Sequence, residues 1–149
     1  MRAVIQRVLE ASVEVDQSVV GRIEQGLLVY LGVGKEDGDK DAEFMAEKLA
    51  HLRIFSDEAG KMNRSVMDTG GGILLISNFT LQGDCRRGRR PGFDAAELPE
   101  PAEALYEKVA MLIGQFGVPM EKGSFGEHMH VSSVNDGPVN FLLDSGRLF

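Results

Sequence analysis

Two short runs that are apolar on both faces constrain the fold of this chain most. The first covers residues 26–33, and the second begins at Ile73, directly after three consecutive glycines. A strand that is apolar on both faces is buried inside a sheet, with further layers packed above and below it. The second run turns polar at Ser77, which predicts that this strand leaves the core there. A bilayer-spanning helix needs about 20 apolar residues, so neither run predicts a membrane span.

The remaining pattern predicts more strands and two main helices. Further strands are expected at residues 3–8, 12–15, 19–24, 53–55, 129–134 and 139–143, with a turn at 135–138. One helix follows Gly38, capped by Asp37 or Asp39, and its apolar positions are Ala42, Met45, Ala46, Leu49 and Leu52. A second runs from Pro99 and Pro101 to Gly117, with an apolar face of Ala102, Leu105, Val109, Leu112 and Phe116. We therefore predict one α+β domain over residues 1–149, a barrel-like, strongly curved and mainly antiparallel sheet with two main helices.

The charge of the chain is acidic overall but basic in one place. Sixteen Lys and Arg against 23 Asp and Glu give a net charge of −7. Residues 85–91, which we call the arginine loop, hold Arg86, Arg87, Arg89 and Arg90, so the rest of the chain carries −11. An acidic body argues against broad, non-specific nucleic-acid binding, whereas a local basic spot suits one anionic contact such as a phosphate. A solvated loop without a ligand is the alternative.

Other candidate residues give weak signals. A single cysteine, Cys85, excludes an internal disulfide, and the first residues turn polar too soon for a secretory signal, so we expect a cytoplasmic protein. No catalytic signature surrounds Cys85. His128 and His130, beside Glu127, would share one face of a strand, but a zinc site needs three or four ligands, and we expect no metal. The hydroxyls of Ser77 and Thr80 stand at a strand end, where they either bind a ligand or cap the strand.

Two motifs stand at residues 77–81, which read Ser-Asn-Phe-Thr-Leu, and at residues 135–140, which read Asn-Asp-Gly-Pro-Val-Asn. In order along the whole chain, they resemble the motifs Ser-Gln-Phe-Thr-Leu and Asn-x-Gly-Pro-Val-Thr of the D-aminoacyl-tRNA deacylases of the bacterial and eukaryotic type. Asn78 thus replaces a glutamine, and Asn140 replaces a threonine. Further similar segments are residues 5–8, 11–13, 26–29, 53–57, 60–63, 90–93 and 104–106.

The resemblance implies hydrolysis, without a cofactor, of the ester between a D-amino acid or mischarged glycine and the 3′-terminal ribose of tRNA. Such enzymes work as homodimers, in which Gly137 and Pro138, joined by a cis peptide, would reach into the partner's site. Their carbonyls would hold the α-amine and crowd an L side chain, whereas glycine, which lacks a Cβ, would pass. The ribose 2′-hydroxyl of the tRNA would activate water.

The resemblance also implies roles for individual residues. The backbone N–H groups of Phe79 and Thr80 would polarise the ester carbonyl, and Arg7 would brace the Gly-Pro segment. The substrate-binding residues would be Ser77, Asn78, Phe125, Met129, Gly137 and Pro138, with Phe125 and Met129 near the adenine. In another proposal for this family, the threonine that corresponds to Thr80 is the nucleophile.

Two alternatives to this function stay open at the level of sequence. One is a non-catalytic module that only grips an RNA end. The other is a related deacylase that acts on mischarged L-alanyl-tRNA and has a trans Gly-Pro bond. Neither alternative involves DNA or a membrane.

Overall fold

The computed structural model describes residues 1–149 and is built around one mixed, six-stranded sheet. Its strands are β1 (Arg2–Val15), β2 (Ser18–Ile23), β3 (Gly26–Gly32), β6 (Gly72–Ser77), β7 (Met120–Lys122) and β8 (His130–Asp144); β4 (Phe55–Ser56) and β5 (Met62–Arg64) form a separate pair. The order is β2-β1-β3-β6-β7, with β8 on the other side of β1. β1 is antiparallel to β2, β3 and β8, whereas β3–β6 and β6–β7 are parallel. The predicted α+β class with a curved, mainly antiparallel sheet is confirmed.

β1 gives the sheet its barrel-like curvature. Its first half pairs with β3 as far as Val8, and its second half, from Ala11 onward, pairs with β2. The two strands predicted at residues 3–8 and 12–15 are therefore one strand that changes partner in the middle. The second half of β1 closes over the inner face of the sheet, where Val13 packs with Leu28 and Leu74 in a buried cluster. This cluster is one of two apolar layers.

The other layer lies between the sheet and the helices α1 (Asp39–His51) and α3 (Pro99–Gln115). The predicted stripe of α1 is buried from Ala42 to Leu49. The stripe of α3 was predicted slightly wrongly: its buried residues are Ala102, Tyr106, Val109, Ala110 and Ile113. Tyr106 turns inward because its hydroxyl donates to the Leu75 carbonyl at 2.7 Å, and this rotation leaves Phe116 exposed. No helix of the chain is both long and apolar enough to cross a bilayer.

Two local predictions about helices need correction. The N-cap of α1 is Gly38, whose N–H donates to the Asp41 carboxylate at 2.9 Å, rather than Asp37 or Asp39. Asp37 instead accepts from the Gly34 N–H and pairs with the amino group of Met1, which fixes the chain start beside α1. A third, short helix, α2 (Val66–Thr69), was not predicted. Ser65 is its N-cap and forms a capping box with Asp68.

The turn predicted at residues 135–138 is not a turn between two strands. β8 runs along β1 on both sides of it, with Asn140 opposite Gln6 and Asn135 opposite Val8. Residues 136–139 therefore stand opposite the single residue Arg7, and they bulge out of a strand that keeps its direction. We call residues 136–139 the Gly-Pro bulge. Both flanks continue on β1 because its pairing edge is long enough to hold them in one line.

Candidate functional site

A cavity of about 690 Å³ opens where β6 leaves the core. Six of the residues that the sequence singled out line it: Ser77, Asn78, Phe79, Thr80, Phe125 and Met129. His128, considered above only as a metal ligand, also lines it, as do Tyr30, Glu97 and Tyr106, to which sequence reasoning gave no role in a site. The cavity therefore joins the end of one strand to the segment before β8, which lies about 50 residues later.

The end of β6 is held by backbone and side-chain hydrogen bonds. The Asn78 N–H donates to the Leu31 carbonyl of β3 at 2.8 Å, and a 3-10 turn over Phe79–Gln82 follows. The Asn78 side-chain oxygen accepts from the Thr80 N–H at 3.1 Å and from the Thr80 hydroxyl. This is an Asx turn, in which a short amide side chain mimics a backbone bond. The asparagine that replaces the glutamine of the resembling motif thus has a defined local task.

These bonds distinguish the two backbone donors that the sequence proposed. The Thr80 N–H is already engaged by Asn78. The Phe79 N–H stands at the first position of the 3-10 turn, where no partner within the turn exists, and it has no hydrogen-bond partner in the chain. The Phe79 side chain is 58% exposed and meets the Phe93 ring edge-on at 5.0 Å. Of the two donors, only Phe79 N–H is therefore free to meet a ligand oxygen at the cavity.

Aromatic and sulfur-bearing side chains form the far wall of the cavity. Phe125 packs against Tyr106, with ring centres 5.7 Å apart, and Met129 packs on the inner apolar layer. A Cβ on Gly123 would lie 2.6 Å from the Met129 sulfur, so a larger residue there would displace the Met129 side chain. Burial raises the pKa of Tyr30 and, with the charge of Glu107, that of Tyr106, so both phenols stay neutral. Phe125, Met129 and Tyr106 thus give the cavity an apolar surface that suits a planar base, although Glu97 and Glu127 also line it.

Three of the proposed residues, Arg7, Gly137 and Pro138, do not line this cavity. Gly137 and Pro138 are exposed on the Gly-Pro bulge, and their peptide bond is cis, as the resemblance implied. Gly137 has a φ of +131°, and a Cβ there would approach the Val139 nitrogen to 2.9 Å, so only glycine fits.

Arg7 anchors the bulge from below. Its guanidinium donates to the Ile54 carbonyl at 2.8 Å and to the Asp136 carbonyl at 3.2 Å, and it pairs with the Asp136 carboxylate at 3.1 Å. Asn135, whose contribution sequence reasoning missed, donates to the carbonyls of Arg7 and Val139 and closes the base of the bulge. Its place in the motif at residues 135–140 was the available signal.

The strand register separates the bulge from the cavity of the same chain. Gly137 stands opposite Arg7 on β1. Arg7 pairs with Leu27 on β3, and Leu27 pairs with Ile73 on β6, which is four residues before Ser77. At about 3.3 Å per residue and 4.8 Å per strand spacing, these positions differ by about 13 Å along the strands and about 14 Å across them. The bulge and Ser77 thus lie roughly 20 Å apart on the sheet surface.

The remaining candidates lie outside this arrangement. No group of three or more His, Cys, Asp or Glu side chains is placed to hold a metal ion. The rings of His128 and His130 meet edge-on at 5.1 Å, but only His130 belongs to a strand, so the predicted shared strand face is wrong. Cys85 is exposed in the arginine loop.

Sequence comparisons agree along the whole chain. The family model described as D-Tyr-tRNA(Tyr) deacylase matches residues 4–144. Proteins named D-aminoacyl-tRNA deacylase from Thermotoga petrophila and Anaeromyxobacter dehalogenans are each 55% identical over 149 residues, which is all of this chain and all of theirs. The protein of that name from Thermus aquaticus is 54% identical over 99% of this chain and 97% of its own.

Two solved structures have the same fold. One, titled c-Myc DNA Unwinding Element Binding Protein, superposes with a TM-score of 0.91 at 39% identity, over 97% of this chain and 98% of that one. The other, titled as a probable eukaryotic D-amino acid tRNA deacylase, has a TM-score of 0.83 at 17% identity over 95% and 97% of the two chains. At that identity, the second likeness concerns the fold alone.

Proposed function

The chain belongs to the D-Tyr-tRNA(Tyr) deacylase family and is a hydrolase, and we propose that it cleaves the ester between a D-amino acid, or mischarged glycine, and the 3′-terminal ribose of tRNA. The products are the free amino acid and free tRNA. The observation that carries this proposal is the unpaired Phe79 N–H at the mouth of a cavity with an aromatic wall. A cytoplasmic location remains a prediction.

The proposed chemistry needs no nucleophilic side chain. An aminoacyl ester is already activated, so water can attack its carbonyl carbon when the Phe79 N–H donates to the carbonyl oxygen and stabilises the negative charge that develops there. The bond to the ribose oxygen then breaks, and the proton lost by water passes to that oxygen through the neighbouring 2′-hydroxyl. Because DNA lacks this hydroxyl, we expect RNA to be the substrate.

Chiral selection is assigned in this proposal to the Gly-Pro bulge of a second copy of the chain. D and L esters contain the same atoms, and a thousandfold rejection needs about 4 kcal/mol, which a rigid carbonyl clash supplies better than a soft apolar wall. Gly137 and Pro138 are exposed, and Arg7 anchors the bulge. Because the bulge is roughly 20 Å from the cavity of its own chain on the sheet surface, a homodimer is the arrangement that would bring the two together.

The two alternatives predict different results. A non-catalytic RNA-end module would bind tRNA without releasing amino acid. A deacylase for L-alanyl-tRNA would cleave that ester in preference to D-Tyr-tRNA. The relatives at 55% identity are named for D-aminoacyl-tRNA, which favours the D-specific activity.

The test measures the release of labelled amino acid from D-Tyr-tRNA and L-Tyr-tRNA, with Pro138→Ala as the variant. We expect the variant to lose rejection of the L ester by more than it slows cleavage of the D ester. Pro101→Ala, at an exposed position in the first turn of α3, is the matched control and keeps the parent's ratio. An unchanged ratio in Pro138→Ala would remove the Gly-Pro account, and no release from D-Tyr-tRNA by the parent would remove the proposed activity.

A further inference from the structure

We infer that the arginine loop binds phosphates of the tRNA strand that leads to the ester in the cavity. The inference rests on the function proposed above, and it concerns a surface outside the cavity. Arg86, Arg87, Arg89 and Arg90 are all exposed. They hold four positive charges within five residues of a chain whose net charge is −7. Four positive charges this close together repel one another, and a bound anion would reduce that repulsion.

The loop is attached directly to the site. An antiparallel bridge joins Asp84 and Gly92 at its two ends, with hydrogen bonds of 2.7 and 2.9 Å. On the incoming side, the Gly83 N–H donates to the Thr80 carbonyl at 3.0 Å. On the outgoing side, Phe93 packs its ring on Phe79. Both ends of the loop therefore contact the 3-10 turn that carries the proposed oxyanion donor.

Most of the positive charge of the loop has no partner within the chain. Arg86 pairs with Asp84 at 2.7 Å, and this contact holds the pKa of the Asp84 carboxyl well below its usual range. Arg87, Arg89 and Arg90 form no ion pair and no side-chain hydrogen bond within the chain. Asp84 is thus committed to the loop and keeps its root in place, whereas three guanidinium groups stay available. The loop borders a hollow of about 830 Å³ that is also lined by Asp84, Asp94 and Arg2, and Arg2 is already paired with Asp144.

The geometry suits a strand that leaves the cavity. A loop of seven residues pinned at both ends reaches at most about 14 Å from its root. Gly88, at a φ of +68°, reverses the chain near the tip and sets Arg87 and Arg89 on its two sides. Phosphates follow one another about every 3.4 Å along a stacked strand, so this reach covers several phosphates next to the ester. Arginine presents a planar fork of donors that fits phosphate oxygens, and the half-exposed Phe93 ring at the root offers a base a stacking surface.

The experiment compares two substrates that differ only in phosphates. The triple variant Arg87→Gln, Arg89→Gln, Arg90→Gln is assayed on D-Tyr-tRNA and on the D-tyrosyl ester of adenosine, which has none. Its control, Arg22→Gln, Lys40→Gln, Lys61→Gln, removes the same charge at exposed positions without ion pairs, so general steering is matched. For a single strand, the slope of log affinity against log salt concentration changes by about 0.7 for each phosphate contact. Loss of three contacts should therefore lower kcat/KM for D-Tyr-tRNA about 100-fold at about 0.1 M salt. On the adenosine ester we expect no change.

The outcomes separate the loop from the proposed activity. Equal losses on both substrates, or a salt slope equal to that of the control variant, would refute phosphate binding by the loop while leaving the hydrolysis intact. If the parent cleaved neither ester, the proposed function would fall, and the loop would then be judged by the binding of fluorescent uncharged tRNA. In that measurement, weaker binding by the triple variant than by its control supports the loop, and equal binding overturns it.

Discussion

Replacing Arg7 with methionine tests whether the Gly-Pro bulge is held from beneath. The side chain of Arg7 is largely buried, and methionine fills much of the same space without donors. The change removes the bond to the Ile54 carbonyl at 2.8 Å and both contacts with Asp136. Ile54 itself is buried, so its carbonyl has no ready replacement by water.

The expected loss of stability follows from these contacts. A hydrogen bond from a charged donor contributes about 1.5–3 kcal/mol, and a buried carbonyl left unpaired costs about 1–3 kcal/mol. The Asp136 side chain is 38% exposed, so its ion pair adds at most about 1 kcal/mol. We therefore expect Arg7→Met to lower the free energy of unfolding by about 3 kcal/mol, which is about 6–12 °C in Tm for a chain of this size.

Two measurements check this prediction. Urea unfolding gives the change in the free energy of unfolding. Parent and variant are compared at the same protein concentration, because the apparent stability of a dimer depends on concentration. A double-mutant cycle with Asp136→Ala isolates the ion pair, for which we expect a coupling of up to about 1 kcal/mol. The ratio of kcat/KM for D-Tyr-tRNA to that for L-Tyr-tRNA measures how well the bulge is positioned for chiral selection. We expect this ratio to fall about tenfold, which corresponds to about 1.4 kcal/mol.

Either of two results would refute the reasoning. A loss of stability below about 1 kcal/mol would mean that the contacts with Ile54 and Asp136 contribute little. A full loss of stability with an unchanged D-to-L ratio would mean that Arg7 supports the fold but not the position of the bulge. The exposed control Arg22→Met should change neither quantity.

Two further predictions concern the cavity. Thr80→Ala should keep kcat/KM for D-Tyr-tRNA within about tenfold of the parent, whereas loss of a true nucleophile costs on the order of a millionfold. Complete inactivity of a folded Thr80→Ala protein, with activity kept in Thr80→Ser, would instead support Thr80 as nucleophile. Tyr106→Phe should lower the free energy of unfolding in urea by only about 1 kcal/mol, because the Gly123 N–H still donates to the Leu75 carbonyl at 3.0 Å. A loss above about 3 kcal/mol would show that this second bond does not compensate.

The buried strands and the stripe of α1 were predictable because short-range patterns decide them. Residues 26–33 are apolar on both faces, and that alone requires cover on both sides. The change to polar residues at Ser77 likewise indicates where β6 leaves the core, so the location of the cavity followed from composition along one strand. The motifs at residues 77–81 and 135–140 carried the family resemblance, which the comparisons confirm.

Two features were beyond any local pattern, since each depends on a distant partner. The Gly-Pro segment has the composition of a turn, and only pairing of both its flanks with β1 makes it a bulge. The buried face of α3 is set by the reach of Tyr106 to a carbonyl on β6, 31 residues earlier. The choice between the Phe79 and Thr80 N–H groups is decided locally instead, by the Asx turn in which the Asn78 side chain accepts from the Thr80 N–H, and the motif alone did not indicate it.

The sequence by itself thus determined where apolar runs must be buried, where polar groups emerge and which family the chain resembles, because these depend on neighbours within a few residues. The tertiary structure decided which groups meet and which remain free: Arg7 beneath the bulge, Phe79 unpaired at the cavity, and the arginine loop beside it. Hydrogen bonds between segments far apart in the chain select among orientations that are locally equivalent, and those orientations decide the chemistry.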